Sequence, residues 1–165
     1  MIESGPLIGA MTAYYAGDAR RVNHFLKVYG FAKAIGELEG LDENTREILE
    51  TAALTHDIGI KNSEKKYGSS AGCYQQTEGP GEAEKMLKEL GVSPAVIGRV
   101  CWLIAHHHTY TDISGSDYQI LVEADFLVNI YEDELSLEAI KSIKNNIFKT
   151  PSGIRLLTAL YESRP

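Results

Sequence analysis

Cysteine, tryptophan and proline are scarce in this chain, and long apolar runs are missing altogether. Two cysteines, Cys73 and Cys101, supply neither a disulfide framework nor a CxxC site, so a reduced protein with incidental thiols is expected. No apolar stretch approaches the roughly 18 residues that a membrane span needs, because Glu, Asp or His interrupts each one. The opening MIESGPLIGA holds an acid and no basic leader, so no signal peptide is expected and the reading is cytoplasmic. Basic residues are in deficit too. Sixteen Lys and Arg against 23 Asp and Glu leave a formal charge of −7. That balance argues against extended nucleic acid or an anionic membrane as the main partner. With only 5 Pro and 15 Gly in 165 residues, and 44% hydrophobic residues, the chain is neither disordered nor of low complexity. No repeat or linker divides it, and 1–165 reads as one domain with a sizeable core.

What is present is helical periodicity. Nearly every segment repeats its apolar residues at a 3.6-residue period, and none alternates at period two between hairpin turns. A first strong helix is expected after Asp18 as N-cap, with Val22, Phe25, Leu26, Tyr29 and Ala32 on one stripe. A second starts near Asp42–Asn44, where Asn44 and Glu47 have capping-box spacing, and runs to His56. Residues 61–79 are polar and rich in Gly and Ser, and read as a long loop of the kind that often carries function. Further helices are expected from Pro80 to Gly91, from Ser93-Pro94, from about 118 to 131, from about 136 to 148, and from 151 to 161. The fold class is therefore all-α, a helical bundle of about seven helices.

The five histidines fall into three places: His24, His56 and the run His106-His107-His108. His24 shares a stripe with Val28, Phe31 and Ile35, and His56 prolongs the face of Leu49, Ala52 and Ala53. His107 and His108 prolong the stripe of Ile97, Val100, Cys101 and Ile104, whereas His106 falls beside Arg99 and Trp102. Asp125 lies between Leu121, Val122 and Val128, also facing inward. A single histidine on an apolar face is most often a satisfied core residue. A core carboxylate differs, because it costs several kcal/mol unless a cation or strong donors meet it. Inward His and Asp from facing helices are what a metal site in a bundle is made of. Such mixed ligands suit Mn, Fe, Co, Ni or Zn, with Mg admitted as well.

The order of these residues resembles the HD-domain superfamily of metal-dependent phosphohydrolases. The pattern is His24, then His56-Asp57 within LTHDIG, His107-His108 within LIAHHH, and Asp125 within LVEADFLVN, spanning about 18–131. The resemblance implies an HD-like bundle in which His24, His56, Asp57 and Asp125 ligate the first metal. It implies that His107 and His108 lie at a second-metal position or contact the substrate phosphate. Members of the superfamily hydrolyse phosphomonoesters or phosphodiesters, often of nucleotides.

Several positions depart from that pattern. Where members with more metals carry another histidine, the register of Gly79-Pro80 and Ala83 places Gln75, with Glu78 nearby. Where the dinuclear type has an acid one turn before the first histidine, this chain has Arg20. Both changes favour one tightly bound ion, with Gln75, Glu78, His107 and His108 as second-site residues. No Gly-Tyr-Pro motif accompanies the histidine pair, and no Glu-Asp pair closely follows the doublet, which weighs against cyclic-dinucleotide and alarmone hydrolysis. Ile60 stands where Lys often follows HDIG, with Lys61 next to it.

Cations gather around these residues in an otherwise acidic chain. Arg20 and Lys27 flank His24, and Lys61, Lys65 and Lys66 follow the doublet, although a run of lysines is commonly just a solvated face. Arg20 is the preferred phosphate clamp, with Lys61 helping, since a guanidinium holds two oxygens at once. Trp102, Tyr14 and Tyr15 could stack on a base, though aromatics at helical spacing usually belong to cores. The expected activity is hydrolysis of a small phosphorylated metabolite, a nucleotide monoester included. Asp57 would ligate and take a proton, and His107 or His108 would donate to the leaving group. The contrasting reading is a non-catalytic sensor binding metal and nucleotide; a structural domain with a degenerate site is a third. A homo-oligomer is compatible with all three.

Overall fold

A computed structural model describes residues 3–163 of the chain. The described residues contain nine α-helices and no strand: α1 Ser4–Tyr14, α2 Ala19–Leu38, α3 Glu43–Thr55, α4 Ile60–Tyr67, α5 Gly72–Glu89, α6 Pro94–His106, α7 Ser116–Glu132, α8 Leu137–Asn146 and α9 Pro151–Leu157. A π-helical turn, Thr158–Glu162, continues α9. No helix among the described residues is long and apolar enough to cross a membrane. Cys73 and Cys101 are both free thiols.

The caps follow local chemistry. Asp18 accepts from the Arg21 amide at the start of α2, and Ser93 and Ser136 cap α6 and α8 in the same way. Pro94 and Pro151 sit in the first turns of α6 and α9, where a missing N–H removes no intrahelical bond. The cap of α3 is Asp42 rather than the expected Asn44: its carboxylate accepts from both the amide and the hydroxyl of Thr45. Gly91 turns the chain out of α5 at φ 74°, in the left-handed region that favours glycine.

Three expectations are corrected. Helix α1 raises the count, burying Leu7 and Met11 although its apolar residues do not form a clean stripe. Residues 61–79 are not a loop but α4, a short turn and the first part of α5. Polarity misleads there because α4 buries only Ile60 and Ser63, and it ends on Gly68 in the left-handed conformation. Pro80 lies inside α5 rather than at a helix start. Backbone approach explains the course of this segment. A Cβ on Gly59 would stand 2.5 Å from the Gln75 carbonyl and 2.7 Å from the Gly79 amide, and one on Gly79 would stand 2.6 Å from Ile104. Two glycines thus let the α3–α4 turn and α6 close directly on α5.

Helices α2, α3, α6 and α7 carry the core, with Phe25, Val28, Leu49, Leu54, Leu103, Ile104, Leu121 and Leu127 almost fully buried. Burial at roughly 25 cal/mol per Å² makes this apolar packing the main stabilising term. It also fixes how the polar side chains at the helix ends meet.

Candidate metal centre

His56 and His107 are built by the same local device. Each caps the C-terminus of its helix, α3 or α6, in αR conformation. Each donates Nδ1–H to a carbonyl three residues back: His56 to Ala53 at 2.9 Å and His107 to Ile104 at 2.8 Å. A carbonyl the helix leaves unpaired is thereby satisfied, and the tautomer is set with the Nε2 lone pair facing the interior. His24, in α2, reaches the same state differently: its Nδ1 donates to the Glu132 carboxylate at 2.9 Å.

These Nε2 atoms converge with two carboxylates. His24 Nε2 lies 3.3 Å from His56 Nε2, from Asp57 Oδ2 and from Asp125 Oδ1. His56 Nε2 lies 3.4 Å from Asp57 Oδ2 and 3.6 Å from Asp125 Oδ1. Ligand atoms about 2.1 Å from a shared centre stand roughly 3.0 to 3.4 Å apart, so the spacing suits one ion. On its other side Asp57 turns Oδ1 to His107 Nε2, 3.5 Å away, and forms a second ligand-like group with His107 and His108. Tyr15 holds the doublet from behind, donating its hydroxyl to the Asp57 carbonyl at 2.8 Å.

The donor set fits a cation. With both Nδ1 protons committed to acceptors, two neutral imidazoles would point lone pairs at each other and at two carboxylates. Asp125 Oδ1 and His107 Nε2 are buried with no hydrogen-bond partner. Burial alone would favour neutral groups, yet Asp57 and Asp125 hold the His56 pKa well above its ordinary value. Against the same burial, the histidines hold both carboxyls below theirs. The pocket therefore stabilises positive charge at its centre, which a divalent ion among two carboxylates and neutral imidazoles provides.

The cluster forms part of the wall of an open cavity of about 400 Å³, where His24, Asp57, Gln75, His108, Asp125 and Arg20 all meet. Gln75 sits beside the second group, its Oε1 3.2 Å from His108 Nε2 and its amide donating to the Ser70 carbonyl. The His108 ring rests on Gly72, where a Cβ would come within 2.8 Å of it. Burial and the neighbouring His107 push the His108 pKa down to about 4, so it is a neutral imidazole at pH 7. Arg20 is exposed at the cavity and has no ion-pair partner among the described residues.

Other expected residues are not brought there. The Lys61 ammonium donates to the Tyr14 carbonyl at 2.8 Å and lies over the Tyr14 ring, away from the cavity. Glu78 is held by Lys66 at 2.6 Å and Tyr67 at 3.0 Å. Trp102 is sandwiched between Arg99 and His106, and Tyr15 is buried under the doublet. Conversely, the sequence reading stopped at Asp125 and missed Glu132 and Asn129. They follow it by seven and four residues on the same face of α7, a spacing that could have found them.

Beyond geometry, the sequence model of the HD domain matches residues 21–142, a span holding every residue of the cluster. No curated protein and no solved structure matches the chain. The match covers well over half of the chain, and with the His-Asp cluster at its centre it shows that this protein belongs to the HD domain family, whose members are mostly metal-dependent phosphohydrolases.

Proposed function

We propose that the protein is a metal-dependent phosphohydrolase that cleaves a phosphomonoester of a small metabolite, nucleotides included. The observation that carries this reading is the convergence of His24, His56, Asp57 and Asp125 at 3.3 to 3.6 Å in the wall of a polar cavity holding an unpaired Arg20. Those four residues would hold a divalent ion, which would supply Lewis acidity toward water and a phosphoryl oxygen. Asp57, through the carboxylate oxygen that faces His107, accepts the proton of the attacking water. Arg20 clamps the terminal dianion and balances its charge in the transition state. With Lys61 engaged elsewhere, this clamp rests on Arg20. The expected proton donation by His108 is not supported: as a neutral imidazole it directs its one N–H, on Nε2, to Gln75 Oε1, so it would only line the phosphate side of the cavity.

One ion per chain is the expected resting content, because Gln75 is a poorer ligand than imidazole and Arg20 adds positive charge nearby. Elemental analysis of the purified protein checks this, and two tightly held ions would overturn it. The activity is tested on a panel of phosphomonoesters with excess Mn²⁺, Co²⁺, Ni²⁺, Zn²⁺ or Mg²⁺. Asp57→Ala should lose both metal and turnover. If no ester is cleaved with any ion while a phosphorylated ligand still binds, the sensor reading replaces the hydrolase.

A further inference from the structure

The metal cluster is one part of a larger wall. Every side chain that lines the cavity, among the described residues, is charged or polar; none is aliphatic, phenyl, phenol or indole, and the two rings in its wall, His24 and His108, are held by Glu132 and by Gln75. Most of these groups are engaged with one another as described. Asn129 and Asp133 are not: neither side chain has a hydrogen bond or ion pair among the described residues, and both line the cavity. They continue the face of α7 that bears Asp125. At 1.5 Å rise per residue, Asn129 stands about 6 Å and Asp133 about 12 Å farther along the helix axis.

Asp133 is also the C-cap of α7, at the negative end of the helix dipole, where an anion is disfavoured and no cation offsets it. Charge stabilisation therefore does not account for an acid at that position. A carboxylate and an amide along one wall, facing a phosphate site with no aliphatic side chain in its lining, match the hydroxyl groups of a polyol. The carboxylate accepts two hydroxyl protons, while the amide donates and accepts.

We infer that Asn129 and Asp133 make this cavity selective for a polyhydroxylated leaving group next to the phosphate, a sugar or polyol phosphate, and that it does not read a nucleobase. The inference rests on the hydrolase reading of the same cavity. In a nucleoside monophosphate the ribose would lie along Asn129 and Asp133 and the base would project outside.

The metal-loaded protein is tested with two matched pairs: glycerol 1-phosphate against n-propyl phosphate, and ribose 5-phosphate against AMP. Hydroxyl bonds to a charged acceptor should favour glycerol 1-phosphate over propyl phosphate by about tenfold or more in kcat/KM. Ribose 5-phosphate and AMP should agree within about threefold, since the base makes no differential contact. In Asp133→Ala, an exposed position at which the fold has little at stake, the glycerol-to-propyl ratio should collapse toward one, and Asn129→Ser should lower it. Equal use of glycerol and propyl phosphates, a ratio untouched by Asp133→Ala, or a tenfold preference for AMP would each overturn the inference while leaving the hydrolase reading intact. Calorimetry with the same four compounds separates the two failures when nothing turns over. Tighter binding of the hydroxylated esters, erased by Asp133→Ala, upholds the wall and sinks the hydrolase. Binding that ignores the hydroxyls, or no binding, overturns the wall.

Discussion

Two acids in α7, Glu123 and Asp125, are buried to nearly the same depth, 0% and 6% exposed, and they are satisfied in opposite ways. Glu123 accepts from the Gln119 amide, the backbone amides of Lys149 and Thr150, and the Thr150 hydroxyl. It ties the segment after α8 to α7 and settles so close to Gly153 that a Cβ there would collide with it. Asp125, half a turn on, meets imidazole nitrogens whose protons are committed elsewhere and another carboxylate, and one of its oxygens has no hydrogen-bond partner. Burial alone does not mark a functional acid. What surrounds the carboxylate does: donors make Glu123 a structural staple, and acceptors make Asp125 a candidate ligand for a cation.

The sharpest way to break that contrast is to remove each acid in turn. Glu123→Ala leaves the part-buried Lys149 and Thr150 amides and the Thr150 hydroxyl without their acceptor, removes a fully buried side chain, and should cost about 3–5 kcal/mol in denaturant unfolding, with or without metal. Asp125→Asn should leave metal-free stability within about 1 kcal/mol of the parent. It should also erase the gain of about 3–4 kcal/mol that metal at 100 to 1,000 times its Kd gives the parent. A benign Glu123→Ala, or an Asp125→Asn that keeps the metal-induced gain, would dissolve the distinction. Gly59→Ala comes next. Its Cβ would press on backbone of α5, so a loss of about 1–3 kcal/mol and weaker metal binding should appear together, because the same turn carries His56 and Asp57.

Glu132 tests whether an acid can serve the centre without facing it. Glu132→Gln weakens the acceptor for His24 Nδ1, and titration calorimetry should show metal affinity falling about tenfold or more with little change in fold stability. The smallest effects separate the two cations expected at the phosphate. Arg20→Ala should lower kcat/KM about tenfold on an active ester while metal content stays constant. Lys61→Ala should change it less than about twofold, because that ammonium is bound to Tyr14.

Helical spacing made the inward positions of His24, His56, His107 and Asp125 legible. Apolar neighbours three and four residues away leave a side chain in a regular helix little choice of direction. The same logic, carried to the end of α7, would have reached Asn129 and Glu132. No spacing reveals that Lys61 turns back onto Tyr14 or that Glu78 pairs with Lys66, since long flexible side chains choose partners among groups distant in sequence. The Gly and Ser content of residues 61–79 suggests a loop, whereas Gly72 and Gly79, with Gly59 just before the segment, make room for an imidazole, an isoleucine and a carbonyl.

Period and residue order thus determined an all-α chain of the HD type and the side chains available to a metal, because both follow from local helix geometry. Tertiary packing alone decided which carboxylates meet donors and which meet lone pairs. It also decided which cation stays unpaired at the cavity, because those outcomes depend on distances between atoms that local geometry does not set.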